Sequence, residues 1–371
     1  MYPSATMEVR QQEPATGLFN PDNEVLELPS QRVSAVVRTD LAFKRKKYRL
    51  DLKPRFVAVS TWMKNGDNKK PKPDIVWQQA LASRKGKIFS LYYGLENYQW
   101  GPGELANPSH AFLQEIALDR LGIFESEPQH QARVNVSLGD YWSLIMLYLP
   151  EFDILKRKGS GKGGLIKGEY RAESGSWWLG LIGAGHDHER PQFGAYGQLE
   201  IFSGTYIYAD GLRGYDPMAK ERSLAQQGSE LAGLRYNFEN GNDLRLEYYK
   251  LDHGRTKDEW DQLRQGLELF DVATRVAILK TVAVTEAPLP SQEYAYSSLR
   301  MPRLLSPDSQ IQLFVLHSLE DPSSLIGLRI EDTIGDHVEI MGQYVRAVGP
   351  NDRDMTRGLK GTAVVGLKAT Y

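Results

Sequence analysis

The sequence predicts an all-β fold, a transmembrane antiparallel β-barrel of about 18 strands, with 16 strands as the alternative. Segments of about ten residues, in which apolar and polar side chains alternate, recur along nearly the whole chain of 371 residues. The connections between these segments are short in some places and long in others, and the chain ends on an amphipathic segment that finishes at Tyr371. A tilted strand of about 9–11 residues crosses the hydrocarbon layer of a membrane, so the three observations agree.

The alternation becomes clear at residue 32. Val33, Ala35 and Val37 share one side of an extended segment, and Arg32 and Arg38 share the other. An apolar side facing lipid explains this pattern, because closure of a barrel pairs every backbone N–H and C=O group. The predicted strands cover roughly 23–28, 32–44, 47–60, 74–84, 87–97, 131–139, 141–150, 163–173, 176–186, 190–203, 205–213, 229–238, 243–253, 294–303, 309–318, 323–332, 337–347 and 360–371.

The connections favour a barrel of the outer-membrane type, in which short periplasmic turns alternate with longer extracellular loops. Short links lie at 45–46, 85–86, 239–241 and 334–335, and long ones lie at 61–73, 98–130, 151–162, 214–228, 254–293 and 348–359. Residues 23–371 are therefore predicted to form a single barrel domain. Residues 1–22 are expected to be an N-terminal periplasmic segment outside the barrel, either ordered or disordered.

Composition excludes several classes of protein. The chain has 45 Lys and Arg against 47 Asp and Glu, and this balance gives no overall basic surface for nucleic acid. It has no cysteine, which excludes disulfides, zinc fingers and thiolate catalysis. Mean hydropathy is −0.45, and no run of apolar residues is long enough for a membrane-spanning helix.

Three stretches resemble Gram-negative outer-membrane porins, including the alginate-export-like barrels. They are YGLENYQWGPGELANPS at 93–109, WLGLIGAG and RPQFGAYG within 178–197, and GLRYNFENGNDLRLEYY at 233–249. The resemblance covers most of the chain as a pattern. It implies a pore in the bacterial outer membrane, surrounded by outer-membrane lipid, and it does not imply a particular solute.

Charged side chains on the inward side of the predicted strands form the candidate pore lining. A charge facing lipid at mid-bilayer costs about 2–4 kcal/mol, which favours the lumen for these side chains. Bases outnumber acids among the inward positions, where Arg84 is also expected. Such a cluster would concentrate anions, whereas charge ladders between strands would only stiffen the barrel. The predicted pore-lining residues are Arg38, Asp40, Arg49, Asp51, Lys53, Arg55, Arg133, Lys167, Arg171, Arg235, Arg245 and Arg329.

The long connection at 98–130 is predicted to fold into the lumen as a constriction or plug, and its candidate residues are Trp100, Glu104 and Phe112. Apolar residues from Phe112 to Leu121 recur at helical spacing and need a surface to pack against. The alternative is a flap outside the barrel. The second long loop, 254–293, predicts a helix around Trp260 followed by a β-like stretch at 272–284, either as a second lumen element or as an extra hairpin.

Motifs for catalysis or cofactor binding are not evident in the sequence. The glycine-rich run at 159–164 lacks the spacing of a phosphate loop. His186 and His188 could ligate a metal, but two histidines on a loop are more often solvated. No nucleophile elbow or HExxH motif is present. We therefore expect that the chain is not an enzyme and needs no cofactor.

Three classes of function remain. The first is a channel for passive passage of small hydrophilic solutes or ions, with anions as one class of permeant. The second is a dedicated conduit for exopolysaccharide export, or a barrel that sheathes a partner protein. The third is an interaction or enzyme barrel that acts through its loops. A homo-oligomer is compatible with each of them.

Overall fold

The computed structural model describes residues 2–63, 68–110, 128–150, 162–186, 191–214, 228–252, 254–283 and 289–370. Across these residues, eighteen antiparallel strands form one sheet. The first strand pairs with the last, Ser4 opposite Thr370, so the sheet closes into a barrel and the 18-strand prediction is confirmed over the 16-strand alternative.

The strands are β1 (Tyr2–Pro14), β2 (Gln31–Arg45), β3 (Tyr48–Trp62), β4 (Asn68–Lys85), β5 (Phe89–Glu96), β6 (Gln129–Leu138), β7 (Trp142–Leu149), β8 (Gly163–Arg171), β9 (Trp177–His186), β10 (Gln192–Phe202), β11 (Thr205–Arg213), β12 (Gly228–Asn237), β13 (Asp243–Leu251), β14 (Glu293–Pro302), β15 (Gln310–Ser318), β16 (Ser323–Ile334), β17 (Val338–Val348) and β18 (Leu359–Thr370). The connection between β13 and β14 contains two helices, α1 (Lys257–Glu268) and α2 (Val272–Ala283). Neither helix is long and apolar enough to cross a membrane, as far as the described residues extend.

The prediction for residues 1–22 is wrong, because most of this stretch is barrel wall. β1 pairs with β2 and β18, and residues 23–28, predicted as the first strand, lie in the connection from β1 to β2. The alternation within β1 is short, because the apolar residues Ala5, Met7 and Val9 on its outward side are followed there by Gln11 and Glu13. Its place in the sheet depends on pairing with residues 345–366 positions away.

The prediction of β structure at 272–284 is also wrong, since α2 covers Val272–Ala283. The β-branched residues Val272, Thr274 and Val276 favour a strand by propensity. The Asp271 carboxylate accepts hydrogen bonds from the Thr274 amide, at 3.0 Å, and from its hydroxyl, at 2.7 Å, and so begins a helix instead. The predicted helix around Trp260 is confirmed as α1.

Strand side chains alternate between lipid and lumen as predicted. Phe43, Phe56 and Val365 are about half exposed on the outside, and Ser34 and Val364 are buried inside. The prediction for Arg84 is wrong: it is opposite Tyr48 in the β3–β4 register and therefore shares the outward side of that exposed ring. A bulge in the β3–β4 pairing between Lys53 and Pro54 shifts the register there.

Aromatic side chains pack over glycines on the inner wall. Tyr196 lies over Gly180, Tyr208 over Gly233 and Phe314 over Gly327, each pair being cross-strand partners. A Cβ on any of these glycines would collide with the ring above it. Large rings thus fill the lumen wall because the neighbouring strand leaves room for them.

The connections at the end opposite the short turns pack into a layer of their own. The Trp260 ring of α1 meets Phe19 edge to face at 5.7 Å, and its indole N–H donates to Ser291 at 3.0 Å. Arg264 pairs with Asp321 at 2.9 Å and also with Asp261. Burial raises the pKa of Asp321, while the hydrogen bond from Arg264 lowers the pKa of exposed Asp261. These contacts tie three connections together over one side of the barrel end.

Candidate functional site

The first part of the β5–β6 connection, residues 97–110, runs inside the barrel. We call these residues the lumen loop. Trp100, Glu104 and Leu105 are all buried, and Leu105 belongs to a cluster with the wall residues Tyr208 and Tyr249. Gly101 has φ of 99°, a conformation that favours glycine and turns the chain after Trp100. The predicted inward fold is therefore confirmed for the described residues of this loop.

Two wall carboxylates hold the backbone of the lumen loop. Glu247 of β13 accepts hydrogen bonds from the amides of Glu104 and Leu105, both at 2.7 Å. Asp210 of β11 accepts from the Ser109 amide at 2.5 Å and from the Ser109 hydroxyl at 3.0 Å. Hydrogen bonds to charged groups are the stronger kind, so these two residues fix the loop's position across the lumen.

The side chain of Glu104 extends from the loop to the opposite strands. Its carboxylate pairs with Arg245 of β13 at 3.1 Å and with Arg300 of β14 at 3.7 Å. It also accepts from Gln312 of β15 at 2.6 Å and from Ser298 at 3.0 Å. Leaving such a buried group without its partners costs about 3–5 kcal/mol, so Glu104 is a structural anchor as well as a lumen charge.

The other side of the lumen loop is aromatic and meets two buried bases. The Lys167 ammonium lies 5.2 Å from the ring centre of Tyr98 and 5.1 Å from that of Trp100. Arg133 lies 3.8 Å from the Tyr98 ring centre and pairs with Glu96 at 2.8 Å. Cation–π contacts of this kind are strongest where water is excluded. Lys167 and Arg133 therefore fasten the loop to β6 and β8.

The remaining predicted pore-lining residues mostly lie in ion pairs along the inner wall. Described pairs are Arg55–Asp40 at 2.9 Å, Arg49–Asp51 at 2.7 Å, Arg235–Asp243 at 2.6 Å and Arg329 Nε–Glu331 at 2.8 Å. Arg38 is opposite Arg55 in the β2–β3 register and so shares its inward side. Lys53 lies on the same side of β3, and Arg171 is exposed at the end of β8. The conducting role of these residues stays a prediction.

Some predicted residues lie outside the described part of the chain. They are Phe112 with its helical repeat, His188 and the side chain of His186. Within the described residues, no group of three or more His, Asp or Glu side chains is arranged to hold a metal ion.

Sequence reasoning missed the anchoring role of Asp210 and Glu247. Alternation alone places both on the inward side, Asp210 beside the outward Ala209 and Gly211, and Glu247 between the outward Leu246 and Tyr248. An inward acid has no visible partner in the sequence, because its partners are backbone amides of a loop more than 100 residues away. The inward position of the two acids was therefore predictable, but their hydrogen-bond partners were not, because these become neighbours only when the loop folds.

The closed 18-strand wall and its inward loop define a class of architecture, that of outer-membrane β-barrels. No protein-family model and no curated protein matches the chain. Among solved structures, it is similar to OpdK of Pseudomonas aeruginosa with vanillate, at TM-score 0.58 and 7% identity over 100% of this chain and 98% of that one. It is also similar to P. aeruginosa OccK11 (OpdR), at TM-score 0.56 and 12% identity over 100% and 94%. A third similar structure is Wzi of Escherichia coli, described as a carbohydrate-binding β-barrel involved in group 1 capsule assembly, at TM-score 0.56 and 9% identity over 98% and 83%.

Proposed function

We propose that the chain forms a channel in the bacterial outer membrane for passive passage of small hydrophilic solutes or ions. The observation that carries this proposal is the lumen itself, a closed wall lined by charged side chains and narrowed by a loop that wall carboxylates hold in place. Small outer-membrane barrels are filled by side chains, whereas a wall of 16–18 strands leaves room for an aqueous path.

We propose further that the channel prefers anions. The described contacts of the lumen loop fall on the β6–β15 part of the wall, so β1–β3 border the rest of the lumen. Inward bases on β1–β3 outnumber the acids that offset them. The bases are Arg10, Arg32, Arg38, Lys44, Arg49, Lys53 and Arg55, and the acids are Glu8, Asp40 and Asp51. A wall with excess positive charge raises the local concentration of anions within about 8 Å at physiological salt.

Single-channel recording of the purified protein in a planar bilayer tests both statements. The proposal expects discrete conductance steps and a reversal potential, under a salt gradient, on the anion-selective side. Replacing Arg49, Lys53 and Arg55 with glutamine should move that potential toward cations, most strongly in dilute salt. The matched control replaces Lys250 and Arg346, on the outward side of β13 and β17, and Lys257 of α1, and should leave the potential unchanged.

Three results would count against the proposal. A wild-type channel that prefers cations, or a triple variant with unchanged selectivity, would show that the bases serve only the barrel's structure. A correctly folded protein that never conducts would favour a dedicated conduit or a barrel with a partner in its lumen.

A further inference from the structure

Positive charge is concentrated on one side of the rim that carries the short turns. The β2–β3 and β4–β5 turns and their flanking residues, 43–50 and 82–90, contain no acid and seven exposed bases besides Arg49, which pairs with Asp51. We call these bases the basic rim patch: Lys44, Arg45, Lys46, Lys47, Arg84, Lys85 and Lys87. Within the described part of the chain, none of the seven forms an ion pair.

Most of the other short turns have the opposite character. Acidic residues lie in five of them: Asp140, Glu173, Glu239, Asp308 and Asp336, and Arg303 balances the charge in the turn with Asp308. The turn at 203–204 is uncharged. The basic rim patch is therefore a local feature of two neighbouring turns and not a general property of this end of the barrel.

Exposed aromatic rings place the patch at the edge of the lipid-facing surface. Tyr48 is 60% exposed and Phe89 is 46% exposed, each at the end of its strand beside one of the two turns. Trp142, Tyr170 and Trp177 form the corresponding group further around the barrel, with ring centres 4.7 and 4.9 Å apart. Such rings mark the level of the membrane–water interface.

Two bases of the patch face the lipid side at this level. The Arg84 guanidinium lies 5.9 Å from the centre of the outward Tyr48 ring. Arg45 is opposite Tyr48 in the β2–β3 register and thus shares its outward side. Lys46 and Lys47 form the turn itself, and both are exposed.

We propose that the basic rim patch binds the phosphates of anionic phospholipid headgroups in the periplasmic leaflet. This inference rests on the membrane location in the proposed function, but not on conduction. Arg45 and Arg84 share the outward side of the exposed Tyr48 ring, a position at the lipid boundary that favours a headgroup phosphate over a protein in solution. Each base near an anionic surface contributes about a fivefold gain in affinity, so a cluster of this size selects strongly against neutral headgroups.

The test is lipid retention, measured by native mass spectrometry of the detergent-purified protein after incubation with equal amounts of phosphatidylglycerol and phosphatidylethanolamine. The wild type should retain phosphatidylglycerol at least tenfold better in dilute salt. Replacing Arg45, Lys46, Arg84 and Lys85 with glutamine should abolish this preference. The control replaces Lys250, Lys257, Arg303 and Arg346, which changes the net charge by the same four units, and should keep it.

Assembly of each variant is checked by its change in gel mobility on heating, and the smaller variant Lys46→Gln with Lys85→Gln serves if the fourfold variant does not fold. Equal retention of the two lipids by the wild type would overturn the proposal, as would equal loss in the control. Unchanged lipid retention in the patch variant, together with lost co-sedimentation with peptidoglycan, would assign the patch to that polymer instead. Single-channel conductance should be the same in both fourfold variants, so failure of this inference is distinguishable from failure of the channel proposal.

Discussion

At the scale of single residues, two carboxylates decide where the lumen loop lies. Asp210 and Glu247 accept loop amide hydrogen bonds at 2.5–2.7 Å, and Tyr208 donates to the same Glu247 carboxylate at 2.6 Å. Each of these bonds involves a buried charge, so removing the charge weakens the loop's attachment without opening a cavity.

Replacing Asp210 with Asn and Glu247 with Gln together should lower the free energy of unfolding by about 2–4 kcal/mol, because hydrogen bonds to charged groups contribute about 1.5–3 kcal/mol each. Urea titration in detergent, followed by tryptophan fluorescence, measures the change. Glu339→Gln is the control, since its partly exposed pair with Lys368 contributes under about 1 kcal/mol. Equal losses in both variants would contradict the anchoring role.

The glycine at 233 should be similarly sensitive. Gly233→Ala puts a methyl group against the Tyr208 ring and should destabilise the barrel by about 1–3 kcal/mol through overpacking. Gly183→Ala is the matched control, since an added Cβ there meets no atom within 4 Å. Comparing the two urea midpoints checks this prediction, and a midpoint for Gly233→Ala no lower than that of the control would refute it.

At the scale of elements, α1 lies in the β13–β14 connection and packs against the β1–β2 connection. Trp260 is fully buried against Phe19, and aromatic-to-alanine changes at such sites cost about 3–5 kcal/mol. Trp260→Ala should therefore expose residues 252–292 to limited proteolysis while the barrel remains folded. Leu269→Ala, at a side chain 85% exposed, should behave like the wild type. Identical cleavage of both variants would show that this packing does not hold the connection.

The sequence predicts elements well where one strand face meets lipid, and poorly where only long-range pairing decides. The strand from Val33 to Phe43 could be predicted directly, because only one orientation of its alternating side chains turns the apolar ones toward lipid. β1 could not be predicted in this way, since its outward side is only weakly apolar and its place in the sheet depends on pairing with β2 and with the distant β18. In the lumen loop, Trp100 and Glu104 could be chosen from the sequence, but Asp210 could not be paired with Ser109 before the loop was folded.

At the scale of the whole molecule, closure depends on β1, which joins β18 to β2. Deleting residues 2–14 leaves two strand edges unpaired in a layer without water, and each unpaired polar group there costs several kcal/mol. The deletion should abolish the heat-modifiable folded band and the membrane-inserted fraction. A variant that lacks residues 64–67, between β3 and β4, controls for the effect of shortening the chain and should still assemble. Normal insertion without β1 would contradict the closed 18-strand wall.

The central claim is that a loop held by two wall carboxylates narrows a water-filled lumen. Single-channel conductance of the wild type, compared with the variant carrying Asp210→Asn and Glu247→Gln, tests it most directly. Both proteins are expected to conduct, and the variant should show larger or noisier openings, because its loop is no longer fixed across the path. A silent wild type, or a variant that folds and conducts identically, would contradict it.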